Sequence, residues 1–339
     1  MRLEYDKSLK KLNTFKVDIK SKLLLTVEDD SEFNSELLDK YLKDNFYILG
    51  EGSNTLFTKD FNGTILLIRN KGIRIIEQNP DYTLVEVSAG ENWNDFVNWS
   101  IDKELIGLQN LADIPGNVGA CPIQNIGAYG VEVRDFITNV QIYDIEKGEC
   151  TALSNKECNF GYRDSIFKNH LKGKVIVKSV TFKLERYKGV IDDKYLQYSG
   201  IQDKLEGKKP TIGNLHTAIK HIRKEKLPCI NTYGSCGSTF KNLVVEISKY
   251  KELEKQFIGL PMYETKDPNI VKIPTAYILE KLGWKNKREG SVGTWIYHPL
   301  IVTNYSNATA KDIHSFILNI QKDFKSNTGL ELDTEINII

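Results

Sequence analysis

The sequence predicts an α+β protein in two parts, and three observations support that fold class. The 339 residues suggest about two domains. Up to Arg186 the chain is dominated by short apolar or alternating runs of strand type. Beyond Arg186 it turns to polar stretches and amphipathic helices. With 40% hydrophobic and 27% charged residues, the composition is that of an ordinary globular protein able to bury a sizeable core.

Bulk properties exclude several classes. The 46 basic and 45 acidic residues leave a net charge of +1, which steers the chain toward neither nucleic acid nor a membrane surface. The five cysteines, Cys121, Cys150, Cys158, Cys229 and Cys236, are odd in number and form no CxxC. Neither a disulfide framework nor a zinc ribbon is expected, and a reducing, cytoplasmic setting follows. The stretch MRLEYDKSLKKLNTF has no apolar h-region, and no run approaches the roughly 18 to 20 apolar residues of a membrane span.

In chain order, Leu23 to Val27 reads as a short strand. Ser31 to Leu42 has apolar residues at 33, 37, 38, 41 and 42, a helical spacing with Ser31 as cap. Phe46 to Leu49, Leu56 to Thr58, Gly63 to Arg69 and the alternating Tyr82 to Ser88 are strands. Asn92 to Asp102 is helical, with Trp93, Phe96, Val97 and Trp99 packing as core. Val140 to Ile145 and Glu149 to Leu153 flank Glu146-Lys147-Gly148 as a hairpin, and Val175 to Leu184 is a long alternating strand. Thr211 to Lys226 is an amphipathic helix with the stripe Ile212, Leu215, Ala218, Ile219 and Ile222, ended by Pro228. Helices at Ala276 to Leu282 and Ala308 to Lys325 and a strand at Leu300 to Thr303 follow. A terminal strand, Leu330 to Ile339, puts Glu331, Asp333, Glu335 and Asn337 on one face; Leu332, Ile336 and Ile338 lie on the other, with Thr334 the polar exception.

Four stretches are candidates for chemistry. Ile114 to Gly130, IPGNVGACPIQNIGAYG, is uncharged and rich in glycine, alanine and proline. It reads as an ordered loop that brings bare backbone N–H groups to a phosphorylated, planar ligand, or as a connector closing a barrel or crossing a sheet. Gly50-Glu51-Gly52-Ser53-Asn54 lacks the third glycine and the helix of a dinucleotide fingerprint. It is either a strand–turn–strand phosphate cradle or a plain hairpin turn, and taken alone the hairpin is the stronger reading. In Cys158 to Phe167, Arg163 beside Tyr162 is either a surface ion-pairing residue or a fixed planar donor for an anionic group. Tyr233 to Asn242 is a glycine- and hydroxyl-rich turn carrying Lys241, able to present a hydroxyl as proton donor, or merely a loop. No GxSxG elbow accompanies it, so a serine-hydrolase triad is not supported. His216 and His221 are five apart, the wrong spacing for one helical face to chelate, and no HExxH occurs, so no metal is expected.

The combination LGEGSNTL, IPGNVGACPIQNIGAYG, CNFGYRDSIFK, GSTFKN and LDTEINI, in this order, closely resembles the UDP-N-acetylenolpyruvoylglucosamine reductase family. These are the flavoenzymes that complete UDP-N-acetylmuramate in peptidoglycan synthesis. The resemblance runs from Asn13-Thr14-Phe15 to the last strand, and Tyr198 matches the tyrosine loop of the family's longer type. It implies a vanillyl-alcohol-oxidase (PCMH)-type two-lobed FAD-binding fold, with lobes at residues 1-70 and 71-187. A C-terminal α+β substrate-binding domain at 188-339 would follow, its end at 330-339 returning to the active-site cleft.

Non-covalent FAD would be held by Gly50, Glu51, Gly52, Ser53 and Asn54, and by Ile114, Pro115, Gly116, Gly119, Ala120, Gln124, Asn125, Gly127, Ala128 and Tyr129. NADPH would reduce it and give way to the enolpyruvyl substrate. The resemblance makes Arg163 and Glu335 neighbours of the substrate carboxylate and Ser238 the proton donor to the α-carbon. Tyr162, Tyr198, Lys226, Asn242 and His298 would hold the nucleotide-sugar. A monomer without nucleic-acid or membrane partners is implied. Leu243, the Ile273 to Tyr277 stretch and His298 depart from the commoner family pattern, but none is the implied donor, arginine or glutamate. A flavin oxidase and a noncatalytic binding module are the competing readings.

Overall fold

Apolar β-branched and leucine-rich runs build the sheets, and the contacts among them divide the chain into two units. The structure, a computed structural model, describes residues 1–34, 36–42 and 45–339. One unit comprises Met1–Lys7, Ser21–Glu51 and Phe61–Glu225; the other comprises Ser8–Lys20, Gly52–Asp60 and Lys226–Ile339.

The first unit has two main sheets. In one, Arg2–Ser8, Lys20–Val27, Phe61–Ile68 and Phe46–Leu49 lie in that order, with Phe61–Ile68 parallel to both of its neighbours. All of its strands lie within residues 1–70. The other is antiparallel, in the order Glu149–Ser154, Ile137–Asp144, Val175–Arg186, Tyr82–Ser88 and Ile73–Gln78, with Leu105–Ile106 also on Val175–Arg186. All of its strands lie within residues 71–187. Helix Trp93–Asp102 covers this sheet: Phe96 meets Phe182 at 4.9 Å between ring centroids, and Trp93, Phe96 and Val97 are buried. Asn92 caps it by accepting from Asp95 N at 3.0 Å.

In the second unit, Gly234–Ser235, His298–Asn304, Val292–Trp295 and Arg288–Glu289 form an antiparallel sheet. Helix Ala310–Thr328 buries Ile313, Phe316, Ile317, Ile320 and Phe324. Thr309 and Asp312 form its capping box, and Gly329 ends it at φ 71.

Of the expected helix over Ser31 to Leu42, the described residues show two pieces. A 3-10 turn spans Asp30–Asn34 and the helix proper is Glu36–Tyr41; position 35 lies outside the described residues. Ser31 does not cap it, because Asp29 Oδ1 accepts from both Ser31 N and Ser31 Oγ, closing a local turn. The expected strand at Leu56 to Thr58 shrinks to Thr55–Leu56. The expected terminal strand shrinks to Asn337–Ile338, parallel to Thr55–Leu56, with a single further bridge between Thr334 and Phe240. The segment divides its pairing between two partners, so no continuous ladder forms, although Leu332 and Ile336 are buried as the alternation requires.

Candidate active site

Within the first unit Gly50 and Glu51, the near half of the glycine-rich turn, are tied to the Ile114 to Gly130 loop by a carboxylate. Glu51 Oε2 accepts from Gly116 N at 2.9 Å, and Glu51 Oε1 accepts from Asn92 Nδ2 at 2.6 Å. A Cβ on Gly50 would stand 3.4 Å from Asn117 Oδ1 and 3.8 Å from Ala120 Cβ, so Gly50 lies in van der Waals range of the loop. Arg69 Nη1 donates to Asn117 Oδ1 at 3.4 Å. Burial lowers the Arg69 guanidinium from its usual value, and the charge of Glu51 opposes the shift. The loop does not present the bare N–H groups expected of it: the amides of Gly116, Val118, Gly119, Ala120, Cys121, Ile123, Asn125 and Ile126 all donate within the protein. What it offers is small residues that suit a flat ring, beside a half-buried arginine that suits phosphate oxygens.

The glycines have a second cause that spacing alone does not reveal. A Cβ on Gly119 would stand 2.5 Å from Ala89 Cβ, and one on Gly52 would collide with Leu12 O. At these two positions the room left by the missing side chain is filled by neighbouring chain rather than kept for a ligand.

Asn125 is fully buried and its amide is spent on the protein. Nδ2 donates to Gly161 O at 2.9 Å and Glu132 Oε2 at 3.1 Å, while Oδ1 accepts from Arg134 N at 3.1 Å. It pegs the loop to the Cys158 to Phe167 segment. Arg163 completes that contact: Nη2 donates to Gly127 O at 2.7 Å, and its guanidinium lies 5.4 Å from the Tyr162 ring centroid. Its φ of 53 is sparsely populated for a residue with a side chain, and the tight turn between Gly161 and Asp164 holds it there. The loop and the arginine segment, separate in sequence, thus form one surface.

Tyr198 packs edge-on to Tyr129, with ring centroids 4.9 Å apart and planes at 82°. Arg223, from helix Ile212–Lys226, stands beside Tyr129; burial lowers its guanidinium against the pull of Tyr129 and Asp113. Among the described residues its Nε meets no partner. The sequence reading missed Arg223, although its place four residues after Ile219 was a signal for an inward-facing cation. Ile114, Pro115, Gln124 and Ala128 are half-buried along the same loop.

The second unit holds the remaining candidates. Ser238 is half-buried and follows Gly237, whose N–H donates to Ser235 Oγ at 3.2 Å. Glu335 N donates to Thr239 O at 2.8 Å, and Lys241 N donates to Asp333 O at 3.0 Å, so the segments carrying Ser238 and Glu335 run side by side. Asn54 Nδ2 donates to Glu335 O at 3.4 Å and Asn54 O accepts from Asn337 N at 2.9 Å, which brings the far half of the turn, with Ser53, to the same place. Asn242 Oδ1 accepts from Thr275 N at 3.2 Å, at the start of helix Thr275–Lys281. Lys226 is exposed. His298 Nδ1 accepts from Leu300 N at 3.3 Å. Burial, then Lys226 and Lys285, push the His298 imidazole down to about 4, against the opposite pull of Glu280. Among the described residues no cluster of three or more His, Cys, Asp or Glu is arranged to hold a metal, and no helix is long and apolar enough to cross a membrane.

A family model described as UDP-N-acetylenolpyruvoylglucosamine reductase, C-terminal domain, matches residues 229–339, and one described as FAD binding domain matches residues 37–154. The UDP-N-acetylenolpyruvoylglucosamine reductase of Flavobacterium johnsoniae is 37% identical over 339 residues, covering 100% of both chains. The chain belongs to the UDP-N-acetylenolpyruvoylglucosamine reductase family. Another member of the reductase family, from Pseudomonas aeruginosa, is 35% identical over 100% of this chain and 99% of its own. The crystal structure of UDP-N-acetylenolpyruvylglucosamine reductase from Thermus caldophilus superposes with a TM-score of 0.67 at 23% identity, covering 100% of this chain and 99% of that one. The α+β fold expected from the sequence, an FAD-binding part and a C-terminal domain, is the fold observed. In this reductase the FAD-domain match contains both the Gly50 to Asn54 turn and the Ile114 to Gly130 loop, whose small residues, with the half-buried Arg69 beside Asn117, fit that cofactor. The C-terminal match contains Ser238, Asn242, His298 and Glu335.

Proposed function

We propose that the chain uses FAD and NADPH to convert UDP-N-acetylenolpyruvoylglucosamine to UDP-N-acetylmuramate for the cell wall. Family membership over the whole chain supports the activity. The observation that carries the assignment of residues is the backbone pairing of Thr239 with Glu335, which sets Ser238 and a carboxylate on neighbouring segments of one unit.

When bound, FAD supplies the hydride, received from NADPH and delivered to the terminal carbon of the enolpyruvyl group as the two substrates take turns. Backbone N–H groups of the Gly50 to Asn54 turn would hold the cofactor's pyrophosphate, and the small residues of the loop would lie against its ring. Arg163, fixed by Gly127 O and the Tyr162 ring, offers its planar donors to the substrate carboxylate. Glu335 stabilises the enol form that develops there. The Ser238 hydroxyl then donates a proton to the α-carbon; serine is a weak acid, but a carbon-centred enolate is a strong base.

Tyr198, of the longer family type, closes over the substrate, while Lys226 and Asn242 hold the uridine diphosphate part. Because His298 Nδ1 already accepts, its proton sits on Nε2 and serves as a neutral donor to a phosphate oxygen. Residues 1-70 and 71-187 are assigned as the two lobes of the FAD-binding part and 188-339 as the substrate domain, while by their contacts Ser8–Lys20 and Gly52–Asp60 cluster with the second unit and the chain from 188 to Glu225 with the first. The five free cysteines fit a reducing compartment, so we place the enzyme in the cytoplasm, as a monomer. Bleaching of the purified yellow protein by NADPH tests this reading. Fast bleaching with slow re-oxidation in air supports it, fast re-oxidation marks an oxidase, and no bleaching marks a binder.

A further inference from the structure

The second unit contains two pieces from far upstream in the chain, Ser8–Lys20 and Gly52–Asp60. Thr14 stands where they meet the loop that carries Ser238. Thr14 N donates to Gly52 O at 3.1 Å and Thr14 Oγ1 donates to the same oxygen at 3.3 Å. On its other side Thr14 O accepts from Ser235 N at 2.9 Å, and Thr14 Oγ1 lies 3.3 Å from Cys236 Sγ. Cys236 is buried, with its sulfur 3.7 Å from Gly52 O and 3.6 Å from Thr55 O.

The flanking residues leave Thr14 no freedom to drift. Asn13 is buried, its Nδ2 donating to Leu9 O at 2.7 Å and Val17 O at 3.0 Å. Phe15 O accepts from Asn304 Nδ2 at 2.8 Å. Side chains at Gly52 and Gly234 would collide with Leu12 O and Phe15 O respectively, so both neighbours must be bare for this segment to lie between them.

The contacts close a circuit. Thr14 links Gly52 to Ser235; three residues on stands Ser238; Thr239 O accepts from Glu335 N; Glu335 O accepts from Asn54 Nδ2, two residues past Gly52. We infer that Thr14 is a positioning residue for proton transfer: its hydroxyl fixes the loop bearing Ser238 against the cofactor turn. The hydroxyl bonds to Gly52 O on the turn and touches Cys236 Sγ on the loop, and that sulfur in turn reaches Gly52 O. Its removal leaves the two backbone bonds but lets the loop shift by tenths of an ångström, enough to slow a step that depends on donor placement. This inference rests on the reading of Ser238 as proton donor.

The test is Thr14→Val, which keeps the shape and deletes the hydroxyl, with Thr14→Ser as the rescue. In anaerobic stopped flow, flavin reduction by NADPH should change less than about twofold. Re-oxidation by UDP-N-acetylenolpyruvoylglucosamine should slow roughly tenfold to a hundredfold, with a larger solvent deuterium isotope effect, and Thr14→Ser should recover most of the loss. Should Thr14→Val fail to fold, Cys236→Ala removes the other side of the contact, and the same split between half-reactions is expected. Wild-type rates and isotope effect in the variant that folds, or equal slowing of both half-reactions, overturn the inference. If the wild-type flavin is not re-oxidised by this substrate at all, it is the functional reading that fails, a distinct outcome.

Discussion

Glu335 N donates to Thr239 O across 2.8 Å, so the residue after Ser238 is bonded directly to the residue proposed to steady the enol. The two chemical groups therefore share a backbone frame inside one unit, and a change confined to one side chain leaves that frame in place. Ser238→Ala should leave flavin reduction by NADPH nearly intact and slow re-oxidation by substrate by about 10²–10⁴-fold, the worth of a positioned acid. Single-turnover kinetics of each half-reaction check it. Equal losses in both would remove Ser238 from the proton step.

Gly52 has φ 64, and any Cβ there would collide with Leu12 O. Gly52→Ala combines an unfavourable left-handed conformation with a backbone clash, and should cost about 2–4 kcal/mol. Urea unfolding of the variant measures the loss, and flavin content after purification should fall with it. Wild-type stability would mean that the Leu12 to Phe15 segment is not packed as described.

His298 gives a pH signature. Its folded value of about 4 lies below the ordinary 6.5, because burial and the charges of Lys226 and Lys285 outweigh Glu280. Above pH 6.5 the ring is neutral in both states and contributes nothing that can be lost. As pH falls from 6.5 toward 4 the unfolded chain gains a proton that the folded chain refuses, so stability drops, by roughly 1–3 kcal/mol after discounting for partial exposure. His298→Gln should flatten that part of the stability profile, read by denaturant midpoints at pH 7 and pH 4.5. An unchanged acid-side slope would contradict the assignment.

Periodic segments were legible in the sequence, and segments held by distant partners were not. Tyr82–Ser88 is found with the expected ends because strict alternation signals a half-buried strand, and the long C-terminal helix is displaced by only a few residues. Helix Ile247–Gln256 was missed because it is charged on most of its surface and buries only Tyr250 and Leu253. The terminal strand was overread: alternation reports which side chains are buried, not whether one partner strand runs the full length. At the site, the glycine-rich stretches and Arg163 stand out by composition. Glu51 reaching the loop 65 residues on and Asn125 pegging it are tertiary contacts that no local pattern encodes, and the helical spacing that turns Arg223 inward does not say that Tyr129 is its neighbour.

The most direct measurement is anaerobic stopped-flow absorbance of the flavin band, with reduction by NADPH followed by addition of UDP-N-acetylenolpyruvoylglucosamine. Return of the yellow colour without oxygen is the expected result, since the substrate then accepts the hydride. A band that stays bleached with substrate and recovers only with oxygen would contradict the proposed reaction, and with it the roles given to Ser238 and Glu335.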